Sequence, residues 1–320
     1  MTRTRIRVVA LVAVLAAVAV AGCKPKPPEA RAIPRPALTA PGNVISGALG
    51  SLANPGRDAL GTNDWSCKPS AQHPNPVVLV HGTFANAYDS WSGLGPVLRH
   101  YGYCAFALNY GAPEGSVFNA RGDIPASATE IGEFVDDVLA ATGATEVDLV
   151  GHSQGGSVSR YYANLIGGDA KVGTVVGLAP SNHATTLLGL ATLGRFLGIV
   201  DPIFAATDWM GLDAIRQQGD PNSDFYQALN GNGETRPGLR YVNVVTRFDE
   251  VVTPYRQGFI AAGPGASVQN TVLQDVCSQD LTDHLGIVYD TNVYQLVLNA
   301  LEPGDQRPIA CTASLPLFGS

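Results

Sequence analysis

Val77-Val78-Leu79-Val80, preceded by Pro76, is a β-branched apolar run with no polar face. Val147-Asp148-Leu149-Val150, Cys104 to Tyr110, Val172 to Leu178 and Tyr241 to Val245 share that character. Short runs of this kind suit strands covered on both faces. Helical patterns separate them. Ser127 to Glu130 reads as a capping box ahead of Ile131, Phe134, Val135, Val138 and Leu139. Gln154 to Ile166 reads as a second helix. A closing helix places Tyr289, Val293, Leu296, Val297 and Ala300 on one face, before Pro303-Gly304. Strands alternating with helices predict an α/β fold, with a mostly parallel sheet and right-handed crossovers. Residues 181–238 interrupt the alternation without a clear strand, and a structureless loop of that length is rare, so a helical cap or lid is expected there.

The chain has 320 residues, 45% apolar and 15% charged, which excludes disorder as its general state. Its net charge of −7 argues against a nucleic-acid partner. Arg3, Arg5 and Arg7 precede an apolar, small-residue stretch from Val8 to Gly22, the pattern of a signal peptide over residues 1–22. Val20-Ala21-Gly22-Cys23 resembles a bacterial lipobox, which makes Cys23 a candidate for lipidation and membrane anchoring. Cleavage after Ala19 or Ala21 is the alternative. Residues 23–41 are rich in proline and read as a stiff, solvated spacer with nothing to bury. Residues 42–320 then form the catalytic domain, with 13 basic and 26 acidic residues. Export implies an oxidising compartment, so the remaining four cysteines should pair. Of three connectivities, Cys67–Cys104 and Cys277–Cys311 are the expected ones. No C-x-x-C or paired Cys/His spacing suggests a metal site.

Gly151-His152-Ser153-Gln154-Gly155 fits G-x-S-x-G, directly after an apolar strand and at the start of a helix. That context is the nucleophile elbow, where a sharp turn exposes a serine in a strained conformation. Ser153 is therefore the candidate nucleophile. A serine needs a base, and the base needs an orienting carboxylate. In the chain order Ser, acid, His, His183 comes too early and His284 remains as the base. Asp249, after the strand Tyr241 to Val245, is the candidate acid; Glu250, Asp275, Asp280 and Asp283 are its rivals. The oxyanion hole needs the Gln154 N–H and a donor from the loop after the first strand, for which Thr83 is the candidate. His81 and His152 read as packing or hydrogen-bonding groups near these loops. From Ala184 to Val200 the only charge is Arg195, so this apolar stretch suits an acyl pocket, a lid or a buried cap helix.

VVLVHGTFAN at 77–86, YDSW at 88–91, GYCAFALNY at 102–110, GHSQGG at 151–156, FDEVVTP at 248–254 and VCSQDLTDH at 276–284 occur in this order. Together they resemble the secreted class 2 bacterial lipases and, more distantly, the type of Candida antarctica lipase B. The resemblance implies an α/β-hydrolase fold, the triad Ser153, Asp249 and His284, and an oxyanion hole from Thr83 and Gln154. It also supports both disulfides. The implied activity is cofactor-free hydrolysis of carboxylic esters of lipid type through an acyl-enzyme. A short-chain carboxylesterase, a polyester depolymerase or a cell-envelope acyltransferase are the alternatives with the same triad. The expected protein is a monomer, secreted or anchored to the cell envelope. The lipobox and spacer depart from the common pattern.

Overall fold

A computed structural model describes residues 28–35, 40–186 and 213–320. Six parallel strands form one sheet: β1 (Val77–Val80), β2 (Ala105–Leu108), β3 (Val147–His152), β4 (Val172–Leu178), β5 (Arg240–Val245) and β6 (Ser267–Val272), in the order β2-β1-β3-β4-β5-β6. Every residue of β1, β2 and β3 is buried, as their lack of a polar face requires. Alternate side chains feed two cores. Val77 and Leu79 pack with α2 (Ala87–Trp91), α3 (Leu94–His100) and the closing helix Thr291–Leu301. Val78 and Val80 pack with α4 (Ile124–Thr142) and α5 (Gln154–Leu165). Each fully buried Val or Leu contributes about 1.5–3 kcal/mol. The chain passes from β1 to β2 on one side and then to β3 on the other. That reversal opens a crevice at the carboxyl ends of β1 and β3.

Several local expectations change. α4 starts three residues before the expected box: Asp123 caps it by accepting from Ala126 N at 2.8 Å, and Pro125 sits in its first turn. Ser127 lies inside the helix and donates to Asp123 O at 2.9 Å. An Asp followed by an early proline outcompetes the later serine as a start signal. β6 adds a strand that the sequence pattern does not announce, because it is a largely exposed edge strand of polar residues. A first helix, α1 (Val44–Ala53), is capped by Asn43.

Residues 181–238 contribute α6 (Asp213–Gly219) and α7 (Asp224–Gly231); 187–212, with most of the apolar stretch, lie outside the described residues. The signal segment 1–22 and Cys23 lie outside them as well. The spacer is not solvated throughout. Arg31, 7% exposed, donates to Asn299 Oδ1 at 2.6 Å and Asp305 O at 3.0 Å and pairs with Glu302 and Asp305. A guanidinium meeting two carboxylates at a helix C-terminus explains this docking. Both Cys67–Cys104 and Cys277–Cys311 are bridged.

The closing helix α9 (Thr291–Leu301), which follows the short α8 (Leu273–Val276), begins after Tyr289, because Asp290 caps it through Asn292 N at 2.7 Å. Asp290 and Asp280 are both fully buried. Burial first, then the Asp280 charge, pushes the Asp290 carboxyl well above the usual aspartate range. The fold thus holds a proton that the unfolded chain releases near pH 4, so this contribution to stability is lost as pH rises above about 4 towards neutrality. Asp290→Asn keeps the capping oxygen and should remove that decline in urea titrations across pH 4–8. An unchanged pH profile would contradict the assignment.

Candidate active site

Ser153 sits between β3 and α5 at φ +54° and ψ −122°, a left-handed conformation rare for a side-chain-bearing residue. The flanking glycines permit the turn. A Cβ at Gly151 would lie 2.2 Å from Gly155 O, and one at Gly155 would lie 2.1 Å from Val80 O. With no side chain at either position, the first turn of α5 packs directly against the end of β1. The helix N-terminus behind Ser153 favours negative charge close to it.

His284 comes from the loop after α8, and its Nδ1 lies 2.9 Å from Asp249 Oδ2. A carboxylate can only accept, so Nδ1 carries the hydrogen and Nε2 keeps its lone pair. The other oxygen of Asp249 accepts from Val251 N at 2.9 Å and Val252 N at 2.6 Å, which fixes the carboxylate after β5. The rival acids are otherwise engaged. Asp283 Oδ1 accepts from Gly286 N at 2.6 Å and Leu317 N at 3.2 Å. Glu250 accepts from His284 N at 3.2 Å, Asp275 pairs with Arg247 at the surface, and Asp280 is buried beside Asn292. His183 bonds to Gln257 O at 2.9 Å and to Glu234 at 2.7 Å, away from Ser153.

Ser153, His284 and Thr83 line one cavity of about 340 Å³. Phe84, Ile215, Val251, Val252 and Leu285 make its wall largely apolar. Ile215 and Gln218 come from α6, so the 181–238 insertion contributes to this wall. Gln154 opens α5 beside Ser153, and its buried side chain donates to Thr83 Oγ1 at 3.1 Å and Ala120 O at 3.0 Å. Among the described residues, no group of three or more His, Cys, Asp or Glu side chains is arranged for a metal.

Two further participants complete the site: Gln218, which no sequence signal marks, and His152, which bonds and packs near the loops as its sequence position suggests. Gln218 reaches Thr83 Oγ1 at 2.9 Å, a contact between segments 135 residues apart. His152, the variable position of the elbow motif, donates from Nε2 to the His284 carbonyl at 2.9 Å and packs against the His284 ring at 4.9 Å. It buttresses the loop that holds His284.

This arrangement of sheet, elbow, acid and histidine defines an α/β-hydrolase. The crystal structure of Aspergillus fumigatus lipase B shares the fold with a TM-score of 0.60 and 17% identity, over 91% of this chain and 68% of that one. Residues 74–297 match the family described as Lipase (class 2), and the chain belongs to that family. It is 43% identical over 96 residues to triacylglycerol lipases of Pseudarthrobacter phenanthrenivorans and Burkholderia plantarii. Those matches cover 28% of this chain and 28% and 25% of the relatives, so the chain aligns with about a quarter of their length.

Burial pushes the His152 imidazole down to about 3 and the His81 imidazole down to about 4. Their bonds to backbone carbonyls require a hydrogen on Nε2 of His152 and on Nδ1 of His81, which faces Gly82 O at 2.9 Å. Nitrogen-15 NMR at pH 5.5 should therefore show two neutral imidazoles of opposite tautomer. An imidazolium signal from either would contradict the site's electrostatics.

Proposed function

We propose that this protein is an exported serine hydrolase that cleaves carboxylic esters of lipid type, triacylglycerols included, through an acyl-enzyme. The observation that carries the reading is the meeting, in one largely apolar cavity, of a serine at a left-handed elbow and a histidine held by a buried aspartate. His284 Nε2 takes the Ser153 proton as Oγ attacks the ester carbonyl. The Thr83 and Gln154 backbone N–H groups and the Thr83 hydroxyl stabilise the oxyanion. His284 then protonates the departing alcohol, and water releases the acid by the reverse steps. No cofactor enters this sequence.

The lipid character rests on the cavity wall, where Phe84 and Leu285 are 42% and 41% exposed, and on an exposed apolar surface of α1 and the C-terminal tail. α1 bridges the two loops that serve the site: Asn86, just past the Thr83 loop, donates to Ser51, and Val44 N donates to Leu317 O beside Asp283. Its outer side shows Ile45, Leu49 and Leu52 at 48%, 63% and 54% exposure, with Leu315 and Phe318 exposed nearby. Exposed apolar side chains of this kind suit an aggregated lipid more than a dissolved short ester. The relatives named as triacylglycerol lipases support the same reading.

The two disulfides suit export to an oxidising compartment. In this reading residues 1–22 direct export and Cys23 is the lipidated anchor of an envelope-bound monomer. Arg31 is held by Glu302, which Tyr103 also contacts at the amino-terminal edge of the sheet, opposite the cavity.

Ser153→Ala should abolish hydrolysis of p-nitrophenyl butyrate and emulsified tributyrin in a protein that still folds. Asp249→Asn should lower kcat by about 10⁴, whereas Asp283→Asn, which keeps an accepting oxygen, should stay within a few fold. Turnover by the serine variant, or a reversed order of the two aspartates, would overturn the assignment. Intact-mass analysis of the mature protein from its own host should find acyl mass on Cys23; an unmodified cysteine would rule out the anchor.

A further inference from the structure

We propose that Gln218 is a positioning residue that turns the hydroxyl hydrogen of Thr83 into the cavity, where it donates to the developing oxyanion. The inference rests on the reading of Ser153 as nucleophile and adds to it a residue from the 181–238 insertion.

The donors and acceptors around Thr83 Oγ1 fix the direction of its hydrogen. Gln218 Nε2 faces Ala214 O at 3.1 Å and Thr83 Oγ1 at 2.9 Å, while Gln218 Oε1 receives Ser181 Oγ at 2.9 Å. A backbone carbonyl can only accept, so the atom facing Ala214 must be the amide nitrogen, and its second hydrogen points at Thr83. The same logic holds for Gln154. Its Nε2 faces Ala120 O at 3.0 Å, which leaves its other hydrogen for Thr83 Oγ1 at 3.1 Å. Both glutamines are buried, Gln218 at 4% and Gln154 at 0% exposure, so water does not compete for these bonds.

Thr83 Oγ1 thus accepts two amide hydrogens, which occupies both lone pairs of a hydroxyl oxygen. Its own hydrogen has to leave in the remaining direction. Among the described residues no acceptor is paired with it, and Thr83 lines the cavity beside Ser153. A hydroxyl already accepting two bonds is also a stronger donor, because such chains polarise one another. The donor is therefore aimed before substrate arrives, which is what makes an oxyanion hole effective. Bonds on either side of Gln218 fix α6 against the body of the fold. Gln217 bonds to Ile124 N at 2.9 Å and to Asp123 at 2.7 Å, and Thr185 N donates to Gln218 O at 3.0 Å.

Steady-state hydrolysis of p-nitrophenyl butyrate by a double-mutant cycle tests this. Gln218→Met removes the donor at similar volume, and Gln218→Glu places an acceptor against the hydroxyl and draws its hydrogen inward. Thr83→Val removes the hydroxyl but keeps the backbone N–H. Losses confined to the transition state lower kcat and spare KM. Gln218→Met should lower kcat about 10-fold and Gln218→Glu about 100-fold, against about 10² for loss of one oxyanion donor, with KM within threefold. In the Thr83→Val background either change should cost less than threefold. Equal costs in both backgrounds would overturn the role of Gln218, and the methionine cycle decides if the glutamate variant does not fold. Full activity of Ser153→Ala in the same assay would instead overturn the nucleophile reading and this inference with it.

Discussion

The close approach of α5 to β1 is the contact on which the rest of the site depends. Gly155 lies so near Val80 O that a single methyl group would fill the gap, and Gly151 lies equally near the Gly155 carbonyl. Only with hydrogen at both positions can the chain reverse at residue 153 and lay its helix back on the sheet. The reversal fixes three things at once. It sets Ser153 at a positive φ at the strand end, places Gln154 at the helix start, and brings both beside Gly82 and Thr83 after β1. A bulkier residue at either glycine would separate Ser153 from the Gly82-Thr83 loop before it altered any other side chain of the cavity.

Around this contact lies a set of buried polar side chains joined by hydrogen bonds. Arg160, 1% exposed, donates to Asn182 Oδ1 and O at 3.0 Å, Glu234 O at 2.9 Å and Asn230 Oδ1 at 2.7 Å. Burial draws its guanidinium down to about 10, and these partners keep it tied between α5, α7 and the segment after β4. His152 ties the elbow to the His284 loop, and Gln154 and Gln218 tie the elbow and the insertion to Thr83. Buried polar groups of this kind cost several kcal/mol when left unpaired, so each matched set favours one arrangement of the loops. The site's rigidity is built from these distant pairings as much as from the sheet.

That division explains what is legible in the sequence. β1, β3, β4 and β5 stand out because strands covered on both faces need continuous apolar runs. Ser153, Asp249 and His284 follow from chain order and from their places after strands or before a helix, and the geometry brings them to one end of the sheet. β6 is hidden because an exposed edge strand such as Ser267-Val268-Gln269-Asn270 has no apolar periodicity. The start of α4 is obscured in sequence because two capping signals, at Asp123 and Ser127, lie four residues apart, and the Ser-x-x-Glu spacing of the second masks the Asp and early proline of the first. The roles of Arg31 and Gln218, and the partner of His152, are invisible for a shared reason. Each acts through a partner 132 to 274 residues away, and no local periodicity encodes such a meeting.

The proposed function stands on the nucleophilicity of Ser153. Labelling the intact protein with a fluorophosphonate, followed by peptide mass mapping, addresses it most directly. A single phosphonyl adduct on Ser153 is expected, lost in Ser153→Ala and formed far more slowly in a variant of His284. An unlabelled protein, or an adduct on another residue, would contradict it.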